Sequence, residues 1–173
     1  MITIISGTNR RNSYSLKVAN TISEILDNRE IPNRVFSLEE LPPDFIFKKI
    51  NGEEDSETDQ IIENIIVSAH KFIFVIAEYN GGFPGVLKGF MDTVPPKYFK
   101  GKRAALVGIA SGRGAALRPM DHFTSVLHYL QVEVLSDKPK FSAIEKCFDE
   151  NNKMTDECGK KRLLDMCEKL INF

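Results

Sequence analysis

The chain predicts an α/β fold, a doubly wound sandwich of helices around a parallel five-stranded sheet. Three observations lead there. Short apolar, β-branched runs alternate with segments whose apolar residues recur at helical spacing, from the first residues to the last. One run, "KFIFVIA", is apolar at consecutive positions, as a central parallel strand covered on both faces must be. Right-handed crossovers between such strands place helices on both sides of the sheet.

The first strand is Met1 to Ile5, followed by the polar loop "SGTNRRNSYS" and a helix carrying Leu16, Val18, Ala19, Ile22, Ile25 and Leu26. The second is "RVFSL", introduced by Pro32 and Asn33. The segment 41–57, with "LPPDFIFKK", shows no regular period, and the acidic "NGEEDSETD" reads as a solvated loop. A helix with Ile61, Ile62, Ile65 and Ile66 follows, with Ser56 or Thr58 as its cap. The third strand, "KFIFVIA", opens through "EYNGG" into a helix from Gly85 toward Val94, stopped by Pro95 and Pro96. "RAALVGIAS" is the fourth strand, "SGRGAAL" its exit loop, and a helix runs from about Pro119 to Leu130. The fifth strand is "VEVL", and a last helix spans Thr155 to Ile171. No repeat or linker divides the chain, so a single domain over residues 1–173 is expected.

Composition narrows the function classes. Hydrophobic residues make up 42% and charged residues 27%, too balanced for a disordered or membrane chain. Lys and Arg total 23 against 24 Asp and Glu, so no overall field attracts nucleic acid or an anionic membrane, and any anion site must be local. Cys147, Cys158 and Cys167 form no CxxC pair and no Cys/His zinc pattern, which argues against a metal. Their odd number, and a start that lacks a signal peptide, place the expected setting in the reducing cytoplasm.

In an open parallel sheet, ligands sit beyond the carboxyl ends of the strands where the winding reverses. In the strand order 2-1-3-4-5 the first, third and fourth strands are neighbours, so loops 6–15, 77–86 and 110–115 converge on one cleft. The first loop suits a phosphate: Arg10 and Arg11 bring charge, Thr8, Ser13 and Ser15 bring hydroxyls, and the helix start near Ser13 brings free amides. It lacks the glycines of GxGxxG and the lysine of a Walker loop, which favours a phosphate monoester. The same residues also fit a solvated turn with Ser13 as a plain cap. In the second loop Gly81 and Gly82 clear space for a flat group beside Glu78, Tyr79 and Asn80, or serve tight turn geometry alone. Gly112, Arg113 and Gly114 of the third loop repeat that choice.

These three stretches, "GTNRRNSYS", "AEYNGGFPGVLKGFMD" and "SGRGA", resemble the signatures of the NADPH-dependent FMN reductase family, flavodoxin-like proteins that include quinone, azo-dye and chromate reductases. The first is similar to that family's Gly-Ser-x-Arg-x-x-Ser loop, with Thr8 for the serine and Arg10 and Ser13 in register. The second is similar to its Pro-Glu-Tyr-Asn-Gly motif, with Ala77 in the proline position. The resemblance covers about the first 135 residues and implies a noncovalently bound FMN with NADPH or NADH as co-substrate. It implies that Thr8, Arg10, Ser13, Tyr14 and Ser15 enclose the phosphate, that Glu78, Tyr79, Asn80 and Gly81 line the isoalloxazine, and that Ser111, Gly112 and Arg113 reach its other side. It further implies a homodimer or tetramer, with Phe83, Phe90 and Asp92 either at the subunit contact or, for the phenylalanines, in the core. Arg113 is open to two roles, meeting a 2′-phosphate or forming a subunit salt bridge.

A flavin carries the redox chemistry itself, so no protein nucleophile is required. The sequence has no GxSxG elbow and no cysteine near the first loop, and His70, His122 and His128 fall on or beside helices with no acid–base role assigned. Two functions remain. One is an oxidoreductase passing electrons from NAD(P)H to a small acceptor: a quinone, a flavin, an azo or nitro compound or a metal oxyanion. The other is a flavodoxin-like electron carrier. Carriers that dock onto basic partners need an acidic excess, and the net charge here is only −1, which favours the enzyme.

Overall fold

A computed structural model describes residues 1–173. Its sheet runs in the order β2-β1-β3-β4-β5, with every pairing parallel. The strands are β1 (Ile2–Ser6), β2 (Asn33–Ser37), β3 (Lys71–Ala77), β4 (Arg103–Ile109) and β5 (Glu133–Val134). A further short strand, β6 (Lys140–Phe141), pairs with the far end of β4, so the fifth position of the sheet is filled in two pieces. Between them lies "LSDKP", whose Pro139 has no N–H to give a ladder.

Alternation along the strands sorts the core. Phe72, Phe74 and Ile76 of β3 and Leu106 of β4 face one layer, built from α2 (Phe45–Asn51), α3 (Ser56–Ile62), α4 (Gly85–Thr93) and α5 (Leu117–Tyr129). Ile73, Val75, Val107 and Ile109 face the other, built from α1 (Tyr14–Asp27) and α6 (Glu157–Asn172). Helices on both faces explain why β3 is buried at six consecutive positions, Phe72 to Ala77. Phe90 lies fully inside the first layer, so it is core packing, while Asp92 is exposed and paired with Lys88 at 2.7 Å.

Three local readings differ from expectation. The segment 41–57 contains α2, a two-turn helix that packs Phe45 inward and closes on Gly52 in the left-handed region at φ 72°. The cap of α3 is Asp55 rather than Ser56 or Thr58: its carboxylate accepts from the Thr58 amide at 3.2 Å and the Thr58 hydroxyl at 2.5 Å. That helix continues through a wider π-helical turn, Glu63–Val67. The Lys102 ammonium donates to the carbonyls of Ile66 and Val67 there, satisfying acceptors that a helix end leaves free.

Cys147 and Cys167 are buried, Cys158 is exposed, and all three are free thiols. Burial pushes the Cys167 thiol up to about 12. No helix is long and apolar enough to cross a membrane.

The Asp55 cap is acid-sensitive. The Thr58 hydroxyl, ahead of the Thr58 amide and nearby lysines, holds its carboxyl below the usual range, against the effect of burial. A carboxyl with a folded pKa below its unfolded value adds stability above the unfolded pKa and loses it as pH falls through the folded one. Asp55→Ala is expected to cost about 1 kcal/mol in urea unfolding at neutral pH. Asp55→Asn keeps an acceptor at the cap, and its stability should fall less steeply than the parent's below about pH 4.

Candidate active site

The sheet register brings the strand exits together. Ser6 pairs with Val75, and Ala77 with Ile109, so the chain leaves β1, β3 and β4 along one edge of the sheet. Gly7 donates to the Val75 carbonyl at 3.0 Å, and a Cβ on Gly7 would lie 2.9 Å from that same oxygen. Only glycine permits this approach without backbone shift. Glu78 extends the other pairing, its amide donating to Ile109 at 3.1 Å.

Above this edge lies a cavity of about 490 Å³. Of the residues expected there, Thr8, Arg10, Ser13, Tyr14, Ser15, Glu78, Tyr79, Asn80 and Ser111 line it. Gly81, Gly112 and Arg113 do not; all three are exposed beside it. The sequence reading omitted Ile144, which follows β6 and is buried. Its amide donates to the Ala110 carbonyl at 3.2 Å, while Ala110 donates to Phe141 at 2.9 Å. A residue so placed by a distant segment carries no local signal.

The first wall collects donors. Ser13 caps α1, its hydroxyl accepting from Leu16 at 3.2 Å. The amides of Tyr14 and Ser15 in that first turn find no acceptor in the chain. The Ser15 hydroxyl is buried and also unpartnered. A buried hydroxyl without a partner is costly, and Ser15 belongs to the cavity lining together with Tyr14 and Arg10. An anion bound at this helix start would satisfy them together. These groups fit the phosphate of FMN. Arg11 is 91% exposed, with Glu39 at 3.8 Å.

The second wall is a tight hairpin. Tyr79 and Gly82 exchange backbone hydrogen bonds at 2.9 and 3.0 Å, with Asn80 at φ 51° and Gly81 at φ 78° between them. This is the geometry in which an Asn-Gly pair is favoured. Gly81 therefore serves the turn, since a Cβ there would meet nothing within 4 Å. Phe83, next along, packs edge-on to Phe123 at 5.1 Å and lies 5.0 Å from the His122 ring.

The third wall is braced from the second. The Glu78 carboxylate accepts from the Ala116 amide at 3.1 Å, at the start of α5. Ala115 and Ala116 both sit in the left-handed region, at φ 48° and 59°, a conformation that costs an alanine on the order of 1 kcal/mol. The carboxylate at the helix start stabilises the strained entry. A Cβ on Gly114 would stand 3.5 Å from the Glu78 carboxylate, an ordinary contact.

Residues 1–144 match the model of the NADPH-dependent FMN reductase family. The chain belongs to this family. Its curated relatives include a quinone reductase of Pseudomonas putida, 28% identical over 64% of this chain, and an FMN-dependent NADPH-azoreductase of Staphylococcus aureus, 26% identical over 73% of it. The matched segments span 60% and 69% of those relatives. Among solved structures, the flavoenzyme FerB of Paracoccus denitrificans, an NAD(P)H:(acceptor) oxidoreductase, superposes with a TM-score of 0.77 at 18% identity, covering 99% of this chain and 94% of its own. A flavodoxin from the domain Archaea superposes with a TM-score of 0.63 at 13% identity, covering 99% of each chain, and with the strand order this places the family member in the flavodoxin-like fold.

The turn argument separates the two glycines. Gly81→Ala should destabilise the protein by about 1 kcal/mol through the positive φ, whereas Gly82→Ala, whose Cβ would meet only the Tyr79 carbonyl at 3.9 Å, should stay within about 0.5 kcal/mol of the parent. Thermal melts of the two variants provide the comparison.

Proposed function

We propose that this family member is an FMN-dependent oxidoreductase that passes reducing equivalents from NADPH or NADH to a small acceptor. The observation that carries the reading is the start of α1, where the Tyr14 and Ser15 amides find no acceptor in the chain and stand beside Arg10, in a cavity whose other walls are a polar hairpin and the small residues Ala77 and Ala110. Ser15, Ser13, Thr8, Arg10 and the amides of Tyr14 and Ser15 would hold the phosphate. Asn80 and Ser111, with the backbone of 77–80, would border the ring, and Gly81 supports them through the turn. The chemistry that the cofactor supplies when held here is acceptance of a hydride from a nicotinamide and its onward transfer to the acceptor. The protein's part is to orient the ring, offer backbone donors to its polar edge and leave one face open to both reactants.

In this reading residues 1–173 form one FMN-binding domain that works in the cytoplasm as a homodimer or tetramer. The acceptor is a quinone, flavin, azo or nitro compound, or metal oxyanion. Gly112 and Arg113 lie at the mouth, where Arg113, exposed and uncommitted to any ion pair within the chain, is available to a nicotinamide substrate.

Purified protein should be yellow or become so with added FMN, and NADPH or NADH should bleach it under anaerobic conditions; a protein that takes up no flavin refutes the assignment. Arg10→Ala should weaken FMN by roughly tenfold or more and riboflavin little, as expected for loss of a charge-assisted contact. Equal losses for the two would remove Arg10 from the phosphate site.

A further inference from the structure

Tyr79 begins on the second wall of the cavity and ends on the first. Its hydroxyl lies 2.7 Å from the Thr8 hydroxyl, and the Arg10 guanidinium stands 4.2 Å above the centre of its ring. The Arg10 amide also donates to Thr8 Oγ1, at 3.4 Å. Thr8 is buried, so the direction of its single proton is set by these neighbours. A hydroxyl oxygen has two acceptor sites and one proton. Either hydroxyl of the Thr8–Tyr79 pair can be the donor; when the Tyr79 O–H donates, alongside the Arg10 N–H, both acceptor sites of Thr8 are filled and its proton must go elsewhere. In that arrangement the Thr8 proton is left for the cavity, which Thr8 lines.

We propose that Tyr79 is a positioning residue for phosphate recognition: by donating to Thr8 it turns the Thr8 hydroxyl into a fixed donor toward an anion in the cavity, and by lying beneath Arg10 it holds the guanidinium there. The proposal rests on the FMN reading of the cavity and adds what separates FMN from its unphosphorylated parent. A preset donor loses less freedom on binding than one that must reorient. Stacking likewise restrains a long, exposed arginine that would otherwise sample many rotamers. Tyr79 thereby contributes to phosphate selectivity through Thr8 and Arg10.

The test is a set of dissociation constants for FMN and riboflavin, by flavin fluorescence, on the parent protein, Tyr79→Phe, Thr8→Val and the double variant. Tyr79→Phe keeps the ring under Arg10 and loses only the hydroxyl. It should weaken FMN about tenfold, the scale of one well-placed hydrogen bond to a charged group, and leave riboflavin unchanged. Thr8→Val should weaken FMN at least as much, and the double variant no further, because Tyr79 acts through Thr8. Tyr79→Leu, which also removes the ring, should lose more. Partial unfolding lowers binding of both flavins, so the FMN to riboflavin ratio is insensitive to it. An unchanged ratio in Tyr79→Phe, or additive losses in the double variant, overturns the proposal while leaving the cofactor assignment standing. A parent protein that binds the two flavins equally, or neither, overturns the phosphate reading and the proposal with it.

Discussion

The register of β3 between β1 and β4 is the constraint on which the site depends. Parallel strands in register end at the same level, and here Ser6 meets Val75 while Ala77 meets Ile109. A slip of one residue would move every β3 side chain from one helical layer to the other, so that Phe72, Phe74 and Ile76 would have to repack against α1 and α6. Core burial thus indirectly fixes where the loops begin. The bonds from Gly7 to Val75 and from Glu78 to Ile109 carry the pairing just past the strands, and only then does the chain diverge.

The opposite edge of the sheet is tied differently. Lys71, at the start of β3, donates to the carbonyls of Leu170 and Ile171 at 2.8 Å, closing the end of α6 on one face. Lys102, just before β4, does the same for the turn after α3 on the other. Each ammonium meets the negative end of a helix, where a cation is favoured. Burial lowers the pKa of both lysines, Arg103 adding to the effect at Lys71. The scaffold is therefore pinned to its helices at the strand starts, and the loops at the strand ends are left free for binding groups.

How much of this was legible depends on the range of the interaction. Period and apolarity marked the first four strands and the long helices, because burial on two faces leaves a strong local trace. The helix α2 left no clear trace since "FIFKKIN" is short and opens on three consecutive apolar residues with no helical period, and its inward packing comes from Phe45 meeting the core. The split of the fifth strand is a backbone effect of "LSDKP" that "VEVL" does not announce. In the site, Ser13 and Ser15 were readable from their place before a helix, and "NG" is itself a turn signal, so Gly81 could have been assigned to the hairpin rather than to close approach. Arg113 and Ile144 show the limit: one is turned to solvent and the other carried in from beyond β6, and neither follows from spacing.

The three walls differ in how firmly they are held, and this bears on what each can do. The first is fixed by the approach of Gly7, the Ser13 cap and the hydrogen bond between the Thr8 and Tyr79 hydroxyls. The second closes on itself through the exchanged bonds of Tyr79 and Gly82. Both present donors that lose little freedom on binding, as recognition of a constant cofactor requires. The third wall is anchored at Ala110 and again at Ala116, through Glu78, but Ser111 to Gly114 between those points are exposed. Their regular bonds are short-range, from Ala115 to Gly112 and from Leu117 to Gly114. A segment with few buried contacts opens at low free energy. In the proposed reading the rigid walls would face the cofactor, which does not change, and the softest wall would border the mouth where exchanging reactants pass.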